Sequence, residues 1–181
     1  MDNTGKEGSL KVVFLIMLLS LIIAFCWPRF PIIKNSIHSI LDPTLGTLLN
    51  WNITGGMLII VLIISLFVTL VQKYTTDQET IRELKKQQRE INKRAKEYSH
   101  HPEKMMEIQK ELMPISMRLM KLSMRPIMFT GIPFILFFRW FMDVFETLGN
   151  PKFFGFLSWF WFYLIFAILF GSILRKILKV A

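Results

Sequence analysis

ITGGMLIIVLIISLFVTLVQ, from Ile53 to Gln72, contains no charged residue, and the uncharged run extends back through Trp51 to Pro43. An α-helix rises about 1.5 Å per residue, so roughly 20 apolar residues cross a hydrocarbon core about 30 Å thick. A helix satisfies its own backbone polar groups, which an irregular segment in lipid cannot do. This stretch therefore reads as a membrane span. Phe153 to Leu174 is also free of charge and is loaded with Phe and Trp. It makes a second span.

Two weaker apolar blocks flank these, about Leu10 to Trp27 and about Ile127 to Leu148. Ile23-Ala24-Phe25-Cys26-Trp27 lacks a small-x-small cleavage pattern and Pro28 follows at once, so the first block reads as a retained signal anchor. Of the 181 residues 52% are apolar, and the mean hydropathy is positive. With one cysteine, Cys26, the chain has neither an internal disulfide nor a cysteine-based metal site.

Charge sets the orientation. From Lys73 to Arg125 thirteen Lys or Arg stand against eight Asp or Glu, and Arg175, Lys176 and Lys179 follow the last block. By the positive-inside rule both regions are cytosolic, and four spans bring the N-terminus to the same side. The net charge of +9 then belongs to topology rather than to nucleic-acid binding. The resulting division is 1–27, N-terminal tail and signal-anchor span; 28–52, extracytosolic amphipathic segment; 53–72, first core span; and 73–125, cytosolic hairpin. It continues with 126–148, second core span; 149–154, short outer loop; 155–174, third core span; and 175–181, basic cytosolic tail. The expected fold is an all-α integral membrane protein, a three-helix core bundle plus an N-terminal span.

Within 28–52, Ile33, Ile37, Ile40 and Leu41 fall at helical spacing and predict a short helix on the membrane surface. Within 73–125, Ile81, Leu84, Gln88, Ile91, Ala95 and Tyr98 alternate at spacings of 3 and 4. Met105, Ile108, Leu112, Ile115, Leu119 and Leu122 repeat the pattern, the seam of an antiparallel coiled-coil hairpin. Ser99-His100-His101-Pro102 is the turn, with Pro102 suited to the first helical position. His100, His101 and Glu103 read as turn residues rather than metal ligands. Pro114 is expected to kink the second arm.

No glycine-rich phosphate loop, paired carboxylates or nucleophile-base set is present, so neither an enzyme nor a cofactor is expected. Inside the spans, Ser65, Thr69 and Gln72 share one helix face in the half nearest the basic loop, and Thr130 and Ser172 lie near the same surface. Two readings fit: a polar recess open to the cytosol, or hydroxyls bonding back to their own helices and gluing neighbours together. Arg139, about 20 Å along its helix from Pro126, is expected to snorkel outward and pair with Asp143. Met113, Met117, Met120 and Met124, with Met106 in phase, form a stripe about 140° from the seam of the second arm. Such a flexible apolar stripe suits client segments, lipid or another subunit.

A span, a charged helical hairpin and two further spans, the first opening with Pro126-Ile127-Met128-Phe129-Thr130-Gly131-Ile132-Pro133-Phe134, resembles the YidC/Oxa/Alb insertase superfamily, most closely its small archaeal YidC-like branch. The resemblance covers about Pro31 to Lys176. It implies a hydrophilic groove, lined here by Ser65, Thr69, Gln72, Thr130 and Ser172, that shortens the polar path of an incoming transmembrane segment. It also implies a coiled coil that engages ribosomes or nascent chains. Expected partners are nascent membrane proteins, the ribosome, the lipid bilayer of the plasma membrane and a partner membrane subunit. Bacterial members carry an Arg in the first core span, whereas nothing from Trp51 to Gln72 is charged. A docking receptor for a targeting factor and an ion-conducting channel are the alternatives. The channel is opposed by the wholly apolar run from Leu58 to Ile64.

Overall fold

The computed structural model describes residues 10–98 and 101–180; the tail with Lys6 and the turn residues Ser99 and His100 lie outside the described residues. Among the described residues seven α-helices follow one another: α1 Leu10–Cys26, α2 Pro31–Leu41, α3 Thr47–Trp51, α4 Ile53–Thr75, α5 Gln78–Glu97, α6 Pro102–Thr147 and α7 Trp159–Ile177. Four spans among the described residues are long and apolar enough to cross a membrane: α1 together with the short 3-10 turn after it (Lys11–Arg29), α4, α6 and α7. The chain is an all-α, multi-pass integral membrane protein.

Local chemistry fixes the elbows. Asn52 caps α4 by accepting a hydrogen bond from the Gly55 N–H at 2.7 Å. Directly behind it, a Cβ on Gly56 would fall onto the Leu48 carbonyl and within 2.9 Å of the Leu49 nitrogen, so only glycine lets α3 fold back on α4. At the other end of α4, the extended residues Thr76 and Asp77 turn the chain, and the Asp77 carboxylate caps α5 through the Thr80 N–H. Gln78 donates from Nε2 to the free Gln72 carbonyl at 3.0 Å, closing the last turn of the span.

The hairpin arms predicted from spacing pack as two antiparallel helices. Ile81 and Leu84 of α5 bury against Leu122, with Ile115 and Leu119 alongside. Further out, Gln88 donates to the Ser116 hydroxyl at 3.3 Å and Arg94 pairs with Glu111 at 2.8 Å. Residue numbers rise along one arm as they fall along the other. The second arm does not end at the membrane: α6 is a single helix of 46 residues, about 69 Å long, that runs through Pro114, Pro126 and Pro133 into the bundle. The sequence division at 125/126 thus falls inside one helix.

The bundle core is aromatic. Trp140, Phe141 and Phe145 of α6, Phe153 of the following loop and Phe162 and Tyr163 of α7 meet Met57, Ile60, Val61 and Ile64 of α4. Phe145 stacks on Trp159 with parallel rings at 5.6 Å, and Phe153 on Phe162 at 4.3 Å. In lipid, hydrophobic exclusion does not join helices, so these ring contacts and close packing must do it. α1 lies outside the three-helix core along α6, where Gly131 opposes Ile16 and Val13 is buried, while most of its apolar side chains face outward.

Hairpin and C-terminal tail share one side of the bundle, because the Arg82 guanidinium donates to the Lys179 carbonyl just beyond α7.

Candidate functional site

Between α4 and α6, in the middle and hairpin-side half of the membrane region, lies a recess of about 270 Å³. α4 contributes Ile63, Ile64, Phe67 and Val68 to its wall. α6 contributes Thr130, Pro133 and the aromatic face Phe134, Phe137, Phe138 and Phe141; Tyr163 of α7 reaches it as well. The spacing of the four phenylalanines, 3, 1 and 3, puts them on one stripe of α6. Pro133 cannot donate to the Phe129 carbonyl, so α6 is locally looser where it borders the recess. The cavity is apolar, with the Thr130 and Tyr163 side chains supplying its polar atoms.

Of the polar residues read from the sequence, Thr130 alone lines this recess. Its hydroxyl donates at 3.0 Å to the Pro126 carbonyl. Ser65 and Thr69 are buried in the bundle, 7% and 3% exposed, and the Thr69 hydroxyl donates to the Ser65 carbonyl at 2.6 Å. Gln72 is half-buried at the end of α4, and its carbonyl receives Gln78. Ser172 is exposed on α7 and bonds back to the Ile168 carbonyl at 2.7 Å. Thr69, Thr130 and Ser172 thus satisfy themselves on their own helices, as the second sequence reading had it. The structure does not gather the five residues into one polar surface.

The methionine stripe keeps its place. Met106, Met113, Met117 and Met120 are exposed on the hairpin, away from the α5 seam, and Met124 is half-buried nearer the bundle.

Arg139 and Asp143 part company. The Asp143 carboxylate accepts from Trp27 Nε1 at 2.9 Å, Lys34 Nζ at 2.9 Å and His38 Nε2 at 3.2 Å. His38 also lies 3.0 Å through Nδ1 from Asp42, which accepts from Trp140 Nε1 at 2.7 Å. The expected Arg139–Asp143 pair is therefore replaced by a clamp that ties α2 and the turn before it to the far end of α6. Two cationic or ring donors on α2 outcompete one residue on the same helix. Arg139 instead lies 5.9 Å from the Trp27 ring with its Nη1 3.7 Å from Met142 Sδ. The spacing of Lys34, His38 and Asp42 was the available signal for this clamp, one turn apart in an otherwise uncharged segment. For the recess it was the phenylalanine stripe of α6.

A family model described as integral membrane protein EMC3/TMCO1-like matches residues 38–155, just under two thirds of the chain. The match takes in the far-side clamp from His38 onward, the first core span, the hairpin and all of α6. No curated protein and no solved structure matches the chain.

Proposed function

The chain belongs to the EMC3/TMCO1-like family of integral membrane proteins, within the Oxa1/YidC/Alb3 insertase superfamily, and from that premise we propose that it helps nascent transmembrane segments enter the bilayer at the recess between α4 and α6. The recess itself carries this reading: an apolar cavity opens between two spans of a compact bundle, toward the side from which the hairpin projects. A client helix has to find an apolar partner while its polar flank is still near water. Burying an unpaired polar group in hydrocarbon costs on the order of a few kcal/mol. An aromatic wall beginning at Thr130 would take the apolar face of such a helix before it reached lipid, leaving the flank at the membrane surface.

The same proposal assigns roles to the other residues. Thr130 is the first polar contact, and Ser65, Thr69, Gln72 and Ser172 are assigned to the polar lining of the client's path. The exposed stripe Met113, Met117, Met120 and Met124 receives apolar segments before they reach the recess. The arms, read as a short coiled coil, engage the ribosome or the client; the proposal sets them in the cytosol, a side that their basic excess supports, and the bundle in the plasma membrane. Kinship with the archaeal YidC-like branch is part of this reading. So are a partner membrane subunit beside the exposed α1 and an action that needs neither cofactor nor catalytic chemistry.

Translation of a short single-span membrane protein onto vesicles containing the purified chain tests it. Insertion should exceed that of empty vesicles several-fold and fall back when Ile63→Trp and Thr130→Leu together fill the recess. Unchanged insertion by the filled variant would refute the recess as the route. Loss only on deletion of the hairpin would favour a docking receptor, a reading that the exposed methionines also suit.

A further inference from the structure

The hairpin carries a second face that insertion leaves unused. Arg82, Lys85, Lys86 and Arg89 recur at i, i+3, i+4 and i+7 on α5, and these four side chains alone line a shallow hollow. The face stands about 130° from the buried Ile81–Leu84–Ile91 seam, and Glu79, Glu83 and Glu90 lie about a quarter-turn to one side of it. All four cations are exposed. Among the described residues, Lys85, Lys86 and Arg89 have no carboxylate partner. A like-charged face held without counter-charges calls for an anionic one from outside.

Its height decides which. Arg82 bonds to the carbonyl of Lys179, two residues past the end of α7, and α7 is 19 residues long, about 28 Å, one hydrocarbon thickness. Arg82 therefore sits at the bilayer surface. Lys85 and Lys86 lie about 5 Å further along α5 and Arg89 about 10 Å, within reach of the headgroup layer for long side chains. Lys176 and Lys179 of the tail are exposed as well, and the tail meets the face where the Lys179 carbonyl accepts from Arg82. An extended polyanion such as RNA would instead be drawn to the outer turns, where Lys93 and Lys96 continue the same face away from the membrane.

We propose that Arg82, Lys85, Lys86 and Arg89, with the basic tail docked against them, form a binding surface for anionic phospholipid headgroups at the root of the hairpin. Bound lipid would hold α5 and α7 together where α4 turns into the hairpin. The inference rests on placement and charge and is independent of the insertase reading.

The test uses the full chain reconstituted in phosphatidylcholine vesicles. Spin-labelled phosphatidylglycerol and phosphatidylcholine are compared for the fraction immobilised by the protein. Wild type should prefer phosphatidylglycerol at least twofold in 20 mM salt, and the preference should fade by 0.5 M. Lys85→Gln/Lys86→Gln/Arg89→Gln should abolish it with helicity unchanged, the milder Lys85→Gln/Lys86→Gln should halve it, and Lys93→Gln/Lys96→Gln should leave it intact. A parallel titration follows a fluorescent 20-nucleotide RNA. If the triple variant keeps the lipid preference, or loses RNA binding while keeping it, the proposal falls. Equal loss in the outer pair would also overturn it, leaving only the general charge of the hairpin.

Discussion

The two ends of the membrane bundle are built on opposite plans. At the far end, α2, the turn before it and α6 are joined by donors and acceptors that answer one another: Trp27, Lys34 and His38 on Asp143, and Trp140 and His38 on Asp42. Gly56 brings α3 against α4 there with no room for a methyl group. Toward the hairpin end, α4 and α6 border an apolar recess, and the Thr69 and Thr130 hydroxyls are turned back on their own helices. Charge-assisted, directional bonds in a partly shielded site fix geometry more tightly than apolar contacts along a recess wall. On the proposed function, the polar clamp would hold the far end of the bundle while a client helix is taken up at the apolar recess.

The contrast can be broken first at Asp143. Asp143→Ala would leave Lys34, Trp27 and one side of His38 unanswered and should destabilise the chain by about 3 kcal/mol. The change would be read as a lower unfolding temperature in detergent. Asp143→Asn, which keeps an acceptor for Trp27, should recover part of that loss. In the hairpin, Leu84→Ala removes a buried side chain of the seam and should cost about 2–3 kcal/mol. If the two ends are separable, hydrogen exchange should quicken in α5 and the adjoining arm of α6 but not in α7. Gly56→Ala should cost about 2 kcal/mol, because the backbone of Leu48 and Leu49 has to move. Protease access to the loop between α2 and α4 should report it. The smallest effect belongs to the exposed Arg94–Glu111 pair, where Arg94→Ala should cost less than about 1 kcal/mol and fade in salt.

Fold class was legible because membrane helices announce themselves by uncharged length, as Ile53–Gln72 and Phe153–Leu174 do, and because spacing alone located the α5 and α6 arms. The surface segment around Ile33 and Ile37 was also readable, and it forms α2. Less readable was the continuity of α6: Pro126 ordinarily marks a helix end, yet here the neighbouring bundle and hairpin hold both sides of it in line. The clamp was hidden because i, i+4 spacing favours Arg139 with Asp143, while the partners that prevail come from more than 100 residues earlier. Hydroxyls drew attention to Thr130, which borders the recess, but a hydroxyl in a helix can satisfy itself on the previous turn. The aromatic wall has the pattern of ordinary bundle packing, and only the recess between it and α4 sets it apart.

The central claim is that the space between α4 and α6 receives client helices, and its most direct test is site-specific photo-crosslinking in membranes. Benzoylphenylalanine would replace Phe134 in the recess or Phe25 on the outward face of α1. Ribosomes stalled on a single-span membrane protein would be presented to each. Adducts between the nascent transmembrane segment and position 134, with few at 25, are the expected result. Equal labelling at both positions, or none at 134, would contradict the claim.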